Sequence, residues 1–294
     1  MNLEARLEKH RTRLEKHLDR LLPPADSYPE SLHAAMRYSV LGAGKRLRPI
    51  LCVEAAHALS ERADGVEDLA CAVEFIHTYS LIHDDLPALD NDNLRRGRPT
   101  CHKKFGEAIA ILAGDALLTL AFEVLGRMPR PEPYRRTQIL RELASAAGTR
   151  EGMIAGQVAD LEAEGKKITP RQLESIHRSK TGALIRAAVR SGALYVGVRD
   201  RPFEHLSRYG EKLGLAFQIV DDILDVRSSS ERLGKAAHKD ASRKKATYPS
   251  VHGLEESERL AAEQVEGACA ELDSFGPRGE PLKEIARYVL HRSF

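Results

Sequence analysis

Residues 76–102 read IHTYSLIHDDLPALDNDNLRRGRPTCH, and this stretch decides the fold. Its first half ends a long, mostly apolar segment that begins at Val66. The segment is too long and unalternating for a strand, so it reads as a helix over Val66–Asp85. That helix carries His83, Asp84 and Asp85 to its own end, where bare carboxylates are costly unless they meet a cation. Asp84 and Asp90 would point apart on a straight helix. Pro87 disfavours helix at Leu86, so the chain should unwind there and bring Asp90 back toward Asp84. The second half, Leu86–Gly106, is rich in Pro, Gly, Asn and Arg and reads as a loop.

Outward from this stretch the pattern is helical. Leu3, Leu7, Leu14, Leu18 and Leu21 share one face of a first helix, which Pro23 and Pro24 end. Further helices read as Ser31–Leu41, Pro49–Leu59, Glu107–Leu125, Thr137–Leu161, Pro170–Val196, Pro202–Val226, Ser257–Leu272 and Leu282–Arg292. Arg127–Tyr134 is a proline-rich connector, and the basic stretch Arg227–Pro249 reads as a mobile lid or loop. There is no strand alternation and no Asn-Gly hairpin signal. The expected fold class is all-α: one domain over residues 1–294, a bundle of about ten helices around a central cavity.

A second acidic cluster lies at Asp221-Asp222-Ile223-Leu224-Asp225. Asp221 and Asp225 are one turn apart on a helix, where like charges repel. Two such clusters on two long helices can face one another across a cavity, and their hard oxygens suit Mg²⁺. Basic residues complement them. Gly44, Lys45 and Arg48 precede or open a helix, whose free N–H groups favour anions. Arg95 and Arg96 follow the first cluster and can grip phosphate oxygens bidentately. Lys180, Lys235 and Lys245 lie near the second cluster. Acids and bases interleaved in this way point to a phosphorylated substrate that arrives with Mg²⁺. His77, Gln157, Thr181 and Gln218 are polar residues on apolar helices, and each needs a partner if buried.

Composition narrows the classes. Lys and Arg total 45 against 43 Asp and Glu, a net charge of +2, so the basic patches are local and nucleic acid is not an expected partner. Trp is absent. Cys52, Cys71, Cys101 and Cys269 are scattered without a C-x-x-C pair, which fits a reducing cytoplasm. The first residues lack an apolar core of signal-peptide length. The most apolar stretch, Ala108–Leu125, is interrupted by Gly114, Asp115 and Glu123, so no membrane span is expected.

Taken together, the stretches at 36–49 (MRYSVLGAGKRLRP), 76–102, 104–122, 156–166, 176–194, 215–226 (LAFQIVDDILDV), 233–235 and 245–249 resemble the polyprenyl diphosphate synthases, in particular the bacterial farnesyl diphosphate synthases. The resemblance implies an isoprenoid synthase bundle around a deep apolar pocket, usually a homodimer. It implies about three Mg²⁺ per site, with Mn²⁺ able to substitute, on Asp84, Asp90 and Asp221, supported by Asp85, Asp222 and Asp225. Arg95, Lys180, Lys235 and Lys245 would hold an allylic diphosphate. Isopentenyl diphosphate would sit on Lys45, Arg48, His77 and Arg96, with Thr181 and Gln218 along a developing carbocation.

Two departures stand out. Ala43 replaces the family's usual Gly, a mild perturbation if the position needs φ > 0. Asn91 and Asn93 stand where relatives often carry Asp. In this family, bulk just before the first aspartate motif limits the product. Tyr79 and Ser80 hold those places, and with the two-residue insertion between the acids they predict a C15 product, with C20 geranylgeranyl diphosphate as the alternative. A terpene cyclase, an HD-type phosphohydrolase or a catalytically silent partner subunit would leave one or more of GKRLRP, DDILD and the arginine pair unexplained.

Overall fold

The computed structural model describes residues 2–128, 132–233 and 246–291. Among them the chain forms α1 (Leu3–Leu21), α2 (Glu30–Val40), α3 (Leu47–Leu59), α4 (Val66–Asp84), α5 (Cys101–Phe105), α6 (Glu107–Arg127) and α7 (Pro133–Ala147). It continues with α8 (Met153–Ala163), α9 (Pro170–His177), α10 (Ala183–Tyr195), α11 (Asp200–Leu233), α12 (Tyr248–His252), α13 (Leu254–Glu271) and α14 (Glu280–His291).

Helix α4 stands at the centre. It is buried along most of its length and buries Leu69, Val73, Phe75 and Ile76 completely. Helices α3, α6 and α10 pack around it, and α1 lays Leu14 and Leu18 against it. Helix α11, about 50 Å long, runs beside α10 and α13. A smaller core of Leu173, Leu215, Ile219, Ile223, Tyr248 and Ala261 sits under its second half. Among the described residues α6 alone is long and apolar enough to cross a membrane by length and composition, and here it packs on α4 and α2.

The all-α expectation holds. Four local expectations are corrected. The predicted loop 86–106 contains a two-stranded antiparallel hairpin, β1 (Leu94–Arg95) with β2 (Arg98–Pro99), and the short α5. Its two-residue turn is Arg96-Gly97, both at positive φ (53° and 74°). That is a type I′ geometry without the usual Asn-Gly, so the sequence signal was missing. The predicted helix Thr137–Leu161 is two helices, α7 and α8, broken at Gly148–Gly152. Helix α11 extends past Val226 to Leu233, and Pro249 lies in α12; the middle of the expected loop 227–249 lies outside the described residues. Ala43 does not have positive φ, so its Cβ costs no backbone strain; the left-handed residue of that loop is Arg46 (φ 52°).

Candidate active site

The loop 41–46 is built around Arg46. Its guanidinium is buried, paired to Glu74 of α4 at 2.7 Å and donating to the carbonyls of Val40 and Gly42. With Arg46 turned inward, Lys45 and Arg48 line a cavity of about 560 Å³. Arg48 donates to His77 Nε2 at 3.2 Å, over the Phe217 ring. Burial, then Arg48, holds the His77 imidazole well below its ordinary pKa, so it is neutral. Arg96 bonds the Ala43 carbonyl and lies flat on Gly44; a Cβ at Gly44 would come within 2.5 Å of its Nη1. The same cavity is lined by Arg95, Thr181 and Asp221.

Helix α4 ends as the spacing requires. Asp90 N–H donates to Asp84 O at 2.8 Å, Asn91 N–H to Leu86 O and Asp92 N–H to Asp85 O. Asn91 takes positive φ (54°), which Asn tolerates better than most residues. Asp85 is buried and gripped by Arg95, whose Nε lies 2.9 Å from both oxygens and Nη2 2.6 Å from Oδ1. Burial is the main force raising the Asp84 carboxyl to about 6, opposed by Lys180 and reinforced by Asp90.

Lys180 and Thr181 lie on a π-helical turn, Arg178–Gly182, between α9 and α10. Such turns re-aim side chains out of the α register. Gly156 of α8 packs against this turn; a Cβ there would meet Lys180 N at 2.2 Å. Lys180 donates to Asp160 at 2.7 Å, and Thr181 donates to Gln218 Oε1 at 2.8 Å.

A second cavity of about 390 Å³ adjoins the first and shares Arg48, His77, Leu81, Arg95 and Thr181 with it. Its walls are mainly apolar: Leu89, Met153, Ile154, Val158, Leu161 and Leu184, with Asp84 and Lys180 at its polar end. Tyr79 and Ser80 line it. The Tyr79 ring is buried and meets His83 edge-on at 5.8 Å; burial raises its hydroxyl to about 12, so it stays protonated. Gln157 also lines this cavity, and its buried Oε1 has no partner among the described residues.

The second acid cluster divides. Asp221 lines the basic cavity, and Asp225 is exposed. Asp222 is buried and turned the other way. It accepts from His177 Nε2 and Tyr248 N–H at 2.9 Å and from Gln218 Nε2 at 3.3 Å. Lys235 and Lys245 lie outside the described residues. The structure therefore brings Lys45, Arg48, His77, Arg95, Arg96, Thr181 and Asp221 to one cavity, and Tyr79, Ser80, Asp84, Lys180 and Thr181 to its neighbour. Sequence reasoning gave no role to Asp160, His177, Phe217 or Tyr248. Asp160 was within reach, since a half-buried carboxylate three residues before the end of α8 favours a cation partner; the other three carry no local signal.

Fold and cleft define an all-α enzyme of the isoprenoid synthase type, with a polar chamber rich in cationic side chains adjoining an apolar one. The polyprenyl synthetase profile matches residues 29–273. Farnesyl diphosphate synthase of Escherichia coli is 45% identical, with all of both chains covered. A chloroplastic geranylgeranyl pyrophosphate synthase of Capsicum annuum is 47% identical over 90% of this chain and 72% of its own. A solved FPP/GFPP synthase from Zymomonas mobilis superposes with a TM-score of 0.87 at 36% identity, covering 98% of this chain and 99% of the other. The chain belongs to the polyprenyl synthetase family and is a prenyltransferase.

Proposed function

We propose that the chain condenses isopentenyl diphosphate with dimethylallyl and then geranyl diphosphate to give farnesyl diphosphate, C15. The observation that carries this reading is the pair of joined cavities: one lined by Lys45, Arg48, Arg95 and Arg96, the other apolar and bounded by Tyr79.

Mg²⁺ fits the residues present. Among the described residues no three His, Cys, Asp or Glu side chains are close enough to hold a metal alone. Mg²⁺ takes one or two carboxylates and completes its shell with water and substrate phosphate, so a site built with the diphosphate matches Asp84 and Asp90 on one side and Asp221 on the other. Bound there, it supplies Lewis-acid neutralisation of the diphosphate charge. Arg95 and Lys180 stand ready to exchange their carboxylate partners, Asp85 and Asp160, for phosphate oxygens.

In this reading the allylic C–O bond breaks and the diphosphate leaves with the electron pair. Thr181, its proton held by Gln218, presents oxygen lone pairs to the cation, and the apolar walls exclude water. The isopentenyl double bond forms the new C–C bond, and the resulting cation loses a proton to the departing diphosphate. His77 is neutral and paired to Arg48, so it positions the isopentenyl diphosphate grip and takes no proton.

A homodimer belongs to the same proposal. Its support is Ile111 and Leu112, 44% and 53% exposed on the outer face of α6. A cytoplasmic setting is supported by four unpaired cysteine thiols.

The test is a product assay with isopentenyl diphosphate, dimethylallyl diphosphate and Mg²⁺. A dominant C15 prenol is expected after dephosphorylation. A dominant C20 prenol would keep the chemistry and move the product to geranylgeranyl diphosphate. No prenol at all would overturn the reading.

A further inference from the structure

Asp222 belongs to an aspartate-rich motif, yet its oxygens are occupied away from the cavity. Two donors converge on Oδ2: His177 Nε2 and the backbone N–H of Tyr248, each at 2.9 Å. Oδ1 takes the Gln218 amide N–H at 3.3 Å. Gln218 Oε1 in turn accepts the Thr181 hydroxyl at 2.8 Å. Asp222 is 6% exposed, and His177, which closes the far side, is stacked on the Tyr248 ring at 5.4 Å.

We infer that Asp222 is a positioning residue that fixes the polarity of the chain Asp222–Gln218–Thr181. This rests on the proposed function, in which Thr181 faces the allylic cation. An ionised carboxylate only accepts. It therefore commits the Gln218 NH₂ group to its own side and the Gln218 oxygen to Thr181. The Thr181 proton is then spent on Gln218, and the hydroxyl lone pairs are left for the cavity. Oxygen lone pairs aimed at a forming cation lower its energy; an O–H proton there would raise it.

The backbone N–H of Tyr248 makes this arrangement directional, because it cannot reverse. In Asp222→Asn the amide oxygen must stay on Tyr248 and His177. The new NH₂ then faces Gln218, which must turn its oxygen toward it and its NH₂ toward Thr181. Thr181 becomes the acceptor, and its proton is left to point into the cavity. One group changed on the buried side of α11 inverts the dipole at the site of charge development.

The experiment combines kinetics with metal binding on the full chain. Asp222→Asn should lower kcat with geranyl diphosphate by about 10²-fold. KM for both diphosphates should stay within about threefold. In a Thr181→Val background the same substitution should cost almost nothing further, because the group it acts through is gone. Calorimetric titration of Mg²⁺ with inorganic pyrophosphate should give wild-type affinity for Asp222→Asn and weakened affinity for Asp221→Asn. Weakening in both variants would make Asp222 a metal ligand and overturn the inference. So would losses that add fully to Thr181→Val. If Asp222→Asn does not fold, Gln218→Met cuts the chain while sparing the His177 and Tyr248 bonds, and it must show the same non-additivity and unchanged pyrophosphate titration. A wild-type chain that makes no prenol fails the parent reading, whereas an active wild type with additive losses fails this inference alone.

Discussion

The two acidic clusters use one layout in different surroundings. In each, the first aspartate of the adjacent pair lines the cleft, Asp84 in one cavity and Asp221 in the other. In each, the second is buried, Asp85 at 3% exposure and Asp222 at 6%. The partners differ. Asp85 is held by Arg95, a half-buried cationic side chain that itself lines the cleft. Asp222 is held by a histidine, a backbone N–H and an amide over a small apolar core. The first cluster can rearrange when a diphosphate competes for Arg95; the second is locked. An Asp-Asp pair is thus one cleft-facing carboxylate and one buried one, and the neighbours decide how firmly the buried one is held.

The largest expected effect tests the cleft-facing members. Asp84→Asn and Asp221→Asn should each lower kcat/KM by about 10³-fold or more, while Asp85→Asn, whose task is to hold Arg95, loses less. Equal losses at Asp84 and Asp85 in a steady-state assay would break the comparison. A qualitative change comes next. Tyr79→Ala should lengthen the product, because α4 carries both the first cluster and the apolar floor; gas chromatography of the prenols reads this. An unchanged product spectrum would remove Tyr79 from that role. Gly156→Ala should displace the π-helical turn and lower kcat roughly tenfold by misplacing Lys180 and Thr181, with circular dichroism still helical.

The smallest effect is on stability. Burial raises the Asp84 carboxyl to about 6 in the folded chain, above its unfolded value of about 3.9. The folded state therefore binds the proton more tightly, and stability falls as pH rises between those values. Asp84→Asn should then be more stable than wild type at pH 7, by on the order of 1–2 kcal/mol once partial exposure is discounted. The gain should vanish near pH 4. Chemical denaturation at both pH values checks the sign, and a gap that widened toward pH 4 would refute the assignment.

Most of this was legible in the sequence. The all-α class followed from apolar periodicity, and the return of Asp90 to Asp84 followed from Pro87. The inward turn of Arg46 was not legible, since a run of Lys-Arg-Leu-Arg does not say which cation finds Glu74, 28 residues on. The Arg96-Gly97 turn was missed because tertiary contacts, not local propensity, hold Arg96 at positive φ. That Asp221 and Asp222 face different surroundings follows from helical geometry once α11 is placed, since neighbours on a helix are turned by about 100°. Which face meets His177 and Tyr248 is set by packing between segments far apart in the chain.

Glu74, His77, Tyr79 and Asp84 all project from α4, a single unbroken helix. It therefore works as a ruler. In the proposed reaction its marks would be a brace for the basic loop, a grip for one substrate, a stop for the product tail and a fixed end for its charged head. The stop lies five residues from the head, about 7.5 Å along the axis at 1.5 Å per residue. Bulk can be relocated only in increments of the helical repeat, so product lengths accessible by substitution on α4 should come in discrete steps.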